Sequence, residues 1–141
     1  MSYSRYFLTL VIMALLASCA SIDKPDEGEP AQRADVFRAW DTEDRKLSPA
    51  VNALVGQADT LITQQRLDDA EVVLNRALRI DNRSASVWSR LAWICLESGC
   101  VDRARDYVTR SNSLTQERAL LDLNRLIYDE AGRKLDESGA R

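Results

Sequence analysis

Residues 85–118 read ASVWSRLAWICLESGCVDRARDYVTRSNSLTQER, and residues 51–84 before them read VNALVGQADTLITQQRLDDAEVVLNRALRIDNRS. Sliding one over the other by 34 residues brings like onto like. Leu54 falls on Trp88, Ala58 on Ala92, Leu61 on Cys95, Leu67 on Val101 and Asp68 on Asp102. Ala70 then falls on Ala104, Leu74 on Val108 and Ile80 on Leu114. Within each copy apolar residues recur every three or four positions, the spacing of amphipathic helices. Ala58, Ala70, Ala92 and Ala104 stand where paired helices approach closely, and a larger side chain there would force them apart. Leu54, Leu61, Leu74, Trp88, Leu91 and Val108 fill the space between helices. Ser48-Pro49 supplies an N-cap and a first-turn proline, Ser84 a second cap, and Gly99 a left-handed stop. Helices are expected at about 49–64, 67–80, 84–97 and 101–112.

A 34-residue period with a small residue in each helix resembles the tetratricopeptide repeat. The second copy is the nearer match, with Trp88-x2-Leu91-Ala92, Gly99 in the turn and Ala104-x3-Val108. The first copy lacks the tryptophan and puts Gln65 where Gly99 stands. The resemblance implies an all-α domain over about residues 48–136, made of two helix-turn-helix repeats at about 51–84 and 85–118. A fifth helix at about 115–135 carries Leu120, Leu121, Leu123, Leu126, Ile127 and Leu135. It is expected to cap the second repeat, because terminal repeats need a cover and two alone are marginal. The alternative is a dimer; the apolar stripe of this helix favours a capped monomer.

The first helix of such a repeat usually lines a groove. The resemblance places Asn52, Val55, Asp59 and Ile62 of the first repeat there, with Ser89, Trp93, Leu96 and Glu97 of the second. Trp93 lies five residues past Trp88, about 140° around a helix, so the two cannot point into one core. Either the final helix or the segment Phe37–Trp40 covers Trp93, or it is an exposed aromatic anchor for a partner.

The amino terminus carries a different signal. Arg5 precedes an uncharged, mostly apolar run from Tyr6 to Ala17. As a helix that run reaches about 18 Å, short of the roughly 30 Å hydrocarbon core, so a signal peptide over residues 1–18 fits better than a membrane span. Leu16-Ala17-Ser18-Cys19 resembles the lipobox of bacterial lipoproteins, which implies cleavage before Cys19 and a covalent lipid on its sulfur. Several acyl chains make such an anchor effectively permanent. Ala20-Ser21 follows Cys19, where an Asp would imply inner-membrane retention. An outer-membrane anchor facing the periplasm is therefore expected. Residues 19–47 read as a lipidated, largely unfolded tether, given Pro25, Gly28, Pro30 and the acids among them. Val36, Phe37 and Trp40 interrupt it at helical spacing, as a helix docked on the domain or as a partner-binding motif.

Composition narrows the chemistry. With 5 Gly and 3 Pro in 141 residues, helix is favoured over sheet. A net charge of −3 and no long basic run argue against nucleic acid. There is no histidine, which removes the commonest general base and the commonest zinc ligand together. No phosphate loop, metal spacing or dinucleotide motif stands in the chain. Asp59, Asp68, Asp69, Asp102 and Asp106 read as solvated charges rather than a glycosidase pair. An enzyme, a metal and a cofactor other than the Cys19 lipid are not expected. Cys95 and Cys100 either bridge across the Gly99 turn or remain thiols, Cys95 packing as a small hydrophobe.

The full layout is a lipobox, a tether, two repeats and a last helix. The second repeat ends in Arg110-Ser111-Asn112-Ser113-Leu114, followed by Asn124-Arg125-Leu126-Ile127. This is similar to the LpoP family, short gamma-proteobacterial lipoproteins of the outer membrane. The resemblance implies a protein that binds a bifunctional class A penicillin-binding protein in the periplasm and raises its peptidoglycan synthesis. A pilotin-like lipoprotein escorting a secretin is the alternative, and a periplasmic enzyme the rival from another class.

Overall fold

The computed structural model describes the backbone of residues 28–139 and the side chains from residue 35. The expected signal peptide, the lipobox residues Leu16, Ala17, Ser18 and Cys19, and the start of the tether lie outside the described residues. The chain divides after residue 31, and residues 32–141 form one compact unit. Among the described residues it is all-helical, with no strand. The helices are α1 (Gly28–Asp44), α2 (Pro49–Thr63), α3 (Leu67–Ile80), α4 (Ala85–Glu97), α5 (Val101–Asn112) and α6 (Arg118–Gly139). The helices α2 to α5 agree with the expected spans to within one residue.

Short connections make α2 and α3 one hairpin and α4 and α5 another. The two hairpins turn in the same way at a 34-residue offset. At the end of α2, Gln65 adopts φ 59°; at the end of α4, Gly99 adopts φ 79°. The amide of Arg66 donates to the carbonyl of Leu61 at 2.9 Å, and that of Cys100 to the carbonyl of Cys95 at 2.8 Å. Both are Schellman turns, in which a left-handed residue folds the chain back and satisfies an orphan carbonyl. Asp68 and Asp102 stand in the first turns of α3 and α5, where the helix dipole favours an acid.

Three expectations need correction. Residues 19–47 are expected to be a largely unfolded tether interrupted at Val36, Phe37 and Trp40, yet the helix there is longer than that interruption and α1 runs from Gly28 to Asp44. Its last turns bury Val36, Ala39 and Trp40, and tertiary packing of this kind stabilises a helix that its own sequence would not. Ser48 does cap α2, accepting from the Val51 amide. Ser84 makes no such cap for α4: its hydroxyl donates to Asp81 Oδ2 at 2.8 Å, a nearer charged acceptor. The last helix starts at Arg118 instead of 115, because Thr115 holds the preceding chain in a turn. Its Oγ1 accepts from the Glu117 amide at 3.0 Å and donates to Glu43 Oε1 at 2.6 Å.

The core has two parts that meet on α4. One joins α2, α3 and one face of α4 through Val51, Val55, Ala58, Leu74, Leu91 and Ile94. The other joins α1, α5, α6 and the opposite face of α4 through Trp40, Ala92, Cys95, Val108, Leu120 and Ile127. Ala58, Ala70, Ala92 and Ala104 are fully buried, as close helix approach requires. Leu54 and Trp88 are only half-buried, at the rim of the first part. Ten of the thirteen residues of α4 are buried, so this helix is the axis around which the others are laid.

Candidate interaction surface

Most of the residues expected to line a groove are covered from within the chain. Val55, Ile62, Ser89 and Leu96 are buried, and Asp59 is bonded to Arg90. Trp93 is half-buried beside Phe37, while Asn52 and Glu97 remain exposed. The occupant is α1. Of the two readings of Phe37–Trp40, the structure adopts the docked helix, and the groove is not an open site on these residues.

Two polar clusters fix α1 there. Trp40 is completely buried, and its Nε1 donates to Ser89 Oγ at 2.9 Å. Ser89 Oγ donates to Asn124 Oδ1 at 2.7 Å. Asn124 Nδ2 then donates to Ser111 Oγ at 2.9 Å and to Asn112 Oδ1 at 2.7 Å. Ser111 Oγ closes the path on the Ala85 carbonyl at 2.9 Å. One continuous chain of hydrogen bonds therefore links α1, α4, α6 and α5 through the interior. Every member is satisfied, which is the condition for a buried polar network to specify a single packing.

The second cluster centres on Arg90, whose side chain is 1% exposed. Its Nε and Nη2 donate to the two oxygens of Asp59 at 2.7 and 2.9 Å. Its Nη1 and Nη2 donate to the two oxygens of Asp44 at 3.1 and 2.6 Å. Asp44 Oδ1 also accepts from Ser86 Oγ, and the guanidinium lies 4.3 Å from the Trp40 ring centroid. Burial opposes the charge on Arg90, but the bonds and charges of Asp59 and Asp44 outweigh it and hold the pKa above its ordinary value. The planar fork suits two bidentate carboxylates, a geometry lysine could not reproduce.

Sequence reasoning placed Asp59 on the groove and singled out Trp40, but it missed Arg90, Asp44 and Ser86, and it noted Ser111 and Asn124 only within a family motif, with no part in the core. An arginine on an alternating helix surface carries no mark of burial. Its partners lie 31 and 46 residues away.

What stays open is a cleft of about 600 Å³ between α1, the end of α4 and α6. Its apolar lining includes Val36, Ala39, Trp93, Leu96, Leu123 and Leu126. Leu126 is 66% exposed, the most exposed large apolar side chain among the described residues. Glu97 and Asp122 stand at the cleft without a hydrogen bond or ion pair.

Cys95 lies in α4 and Cys100 directly precedes α5. Both are free thiols, Cys95 buried and Cys100 half-buried. Burial, followed by the hydrogen bond with Cys100 and its charge, pushes the Cys95 thiol up to about 12. A thiol so protonated is a poor nucleophile near neutral pH. No group of three or more His, Cys, Asp or Glu among the described residues could hold a metal ion. No helix among them is long and apolar enough to cross a membrane.

Fold and surface together define a small all-helical domain of paired hairpins with one self-filled groove and one open cleft. Comparison of the chain with protein families, with curated proteins and with solved structures gave no match.

Proposed function

We propose that this chain is an outer-membrane lipoprotein, anchored through Cys19, whose domain binds and activates a periplasmic partner. The domain is read as two tetratricopeptide repeats with α6 as their cap. The partner is a bifunctional class A penicillin-binding protein in peptidoglycan synthesis. The chain acts by binding, with no catalytic residues, no metal and no cofactor beyond the lipid. The observation that carries the reading is the 34-residue recurrence of hairpin bounds, buried alanines and left-handed turn, set behind Leu16-Ala17-Ser18-Cys19.

The test is glycan polymerisation by a purified class A synthase, with and without the lipidated full chain. A several-fold increase together with a co-purifying complex is expected. No change in rate and no complex would sink the proposal, and mislocalised secretin on deletion of the chain would favour the pilotin instead. Cys19→Ala should move the protein from the membrane fraction to the soluble one.

A further inference from the structure

The interior of the expected groove is occupied by α1, so a partner must be met elsewhere. We infer that the cleft between α1 and α6 docks an amphipathic helix of a protein partner whose apolar stripe is flanked by basic residues. This rests on the reading of the domain as a binding protein, and it names the surface and the chemistry that reading leaves open.

The cleft has an apolar floor that the fold does not complete. On α6, Leu120, Leu123 and Ile127 turn into the core, whereas Leu126 stands at the wall with two thirds of its surface in water. Trp93 closes the inner end, half-buried against Phe37, and offers the amphipathic aromatic surface that anchors protein contacts. A cleft of about 600 Å³ takes several apolar side chains at once. The walls are two helices, and no strand edge is present among the described residues, so main-chain pairing with an extended peptide has nothing to build on. An apolar groove between helices receives a helix.

Charge selects the occupant. Of the two cations at the cleft, Lys134 keeps its charge while its Nζ donates to the Leu96 carbonyl at 3.1 Å, and Arg38 faces Asp35 at 3.6 Å. Glu130 is held by Arg133. Asp35, Glu97, Asp122 and Glu130 outnumber Arg38 and Lys134 at the cleft, and Glu97 and Asp122 have no ion-pair partner, so the net charge on the rim is negative. Unpaired acids repel an anionic lipid surface and an acidic peptide, and they favour an approaching lysine or arginine. The chain itself is net acidic at −3, which disfavours a second copy as the occupant.

The experiment uses the full lipidated chain in discs of zwitterionic phospholipid, with empty discs as the blank. The probes are two fluorescent amphipathic peptides of roughly 18 residues, five helical turns, one of Leu and Lys and one of Leu and Glu. Anisotropy should show the Lys peptide bound about tenfold tighter than its Glu twin at low salt, with the gap closing as salt is added. The double variant E97K/D122K should reverse that preference. Leu126→Ser, which removes the apolar contact without adding charge, should weaken the Lys peptide by about tenfold or more, the loss expected for one buried leucine. Both variants change exposed positions, and an unaltered helical spectrum would show that the fold is kept.

The inference is overturned if the two peptides bind alike, if E97K/D122K leaves the preference unchanged, if Leu126→Ser has no effect, or if sedimentation shows the cleft closed by a second copy. Synthase stimulation separates this result from the proposed function. Stimulation that survives Leu126→Ser, with no peptide binding, removes the cleft and keeps the function. Charge-reversible peptide binding without stimulation does the opposite.

Discussion

Trp40→Ala tests whether α1 belongs to the domain. The indole is fully buried, bonded to Ser89, set edge-on to Phe37 with centroids 5.4 Å apart, and covered by the Arg90 guanidinium. A buried aromatic of this size removes ~200 Å² from water, worth ~5 kcal/mol at ~25 cal/mol per Å². The guanidinium contact adds about 0.5–1 kcal/mol. Measured truncations of buried aromatics fall at ~3–5 kcal/mol because the site relaxes in part, so about 4 kcal/mol is expected here. That is a large share of a domain stability of about 5–15 kcal/mol. Because α1 is held through residues 36–44, the loss should fall first on its docking. In hydrogen-exchange measurements the amides of 36–44 should lose protection while those of α2 to α5 keep most of theirs. Urea denaturation followed by far-UV circular dichroism gives the total. Trp40→Phe keeps most of the area and gives up the N–H, so about 1 kcal/mol is expected beyond the area lost. If Trp40→Ala costs less than about 1 kcal/mol and the α1 amides exchange at the wild-type rate, α1 is not an integral helix and the reasoning fails.

Three further outcomes follow from the same geometry. Arg90→Met leaves Asp44 and Asp59 facing each other without their cation and should cost about 3 kcal/mol or more, and replacing all three by apolar residues should recover most of that in urea titrations. Gly99→Ala meets open space for its Cβ but keeps a φ of 79°, so strain alone should lower stability by about 1 kcal/mol; Gln65→Gly, at the matching turn, should raise it by up to about that amount. Cys95 should resist maleimide in the folded chain at neutral pH and react on unfolding. Its thiol is raised from 9.0 to about 12, so the folded state is favoured while the thiol is protonated, and that contribution should fade as pH climbs from about 9 towards 12 in alkaline denaturation.

Much of the helix layout was legible because local rules carried it. The alanines at 58, 70, 92 and 104, the Ser48-Pro49 start and the Gly99 stop each act within a few residues. Gln65 shows the limit of that reading, since it adopts the left-handed turn of Gly99 without being a glycine. The site was far less legible. Val36, Phe37 and Trp40 were visible as an interruption, but whether they dock depends on Ser89 and Arg90, some fifty residues on. A serine and an arginine on a helix look the same in sequence whether they face water or a buried indole. Asn124 was equally silent, since only its burial between Ser89 and Ser111 makes it structural.

The filled groove changes the balance between stability and recognition. Two hairpins present apolar faces that they cannot cover for each other. The second hairpin is covered by α6 on one side, while the face between α2 and α4 is covered by α1. Packing of Trp40 stabilises the monomer at the expense of the surface such hairpins would otherwise offer. Cover by α1 is also directional, since Asp44 and Glu43 anchor its end through Arg90 and Thr115 while its other end runs towards residue 28. An apolar cleft is left incomplete where α1 and α6 flank the end of α4. Any partner that occupies it touches α1 directly, so displacement of α1 and occupation of the cleft must be energetically coupled. Trp40→Ala should therefore weaken peptide binding at the cleft as well as the fold, and a Trp40→Ala chain that keeps wild-type affinity would show the two to be independent.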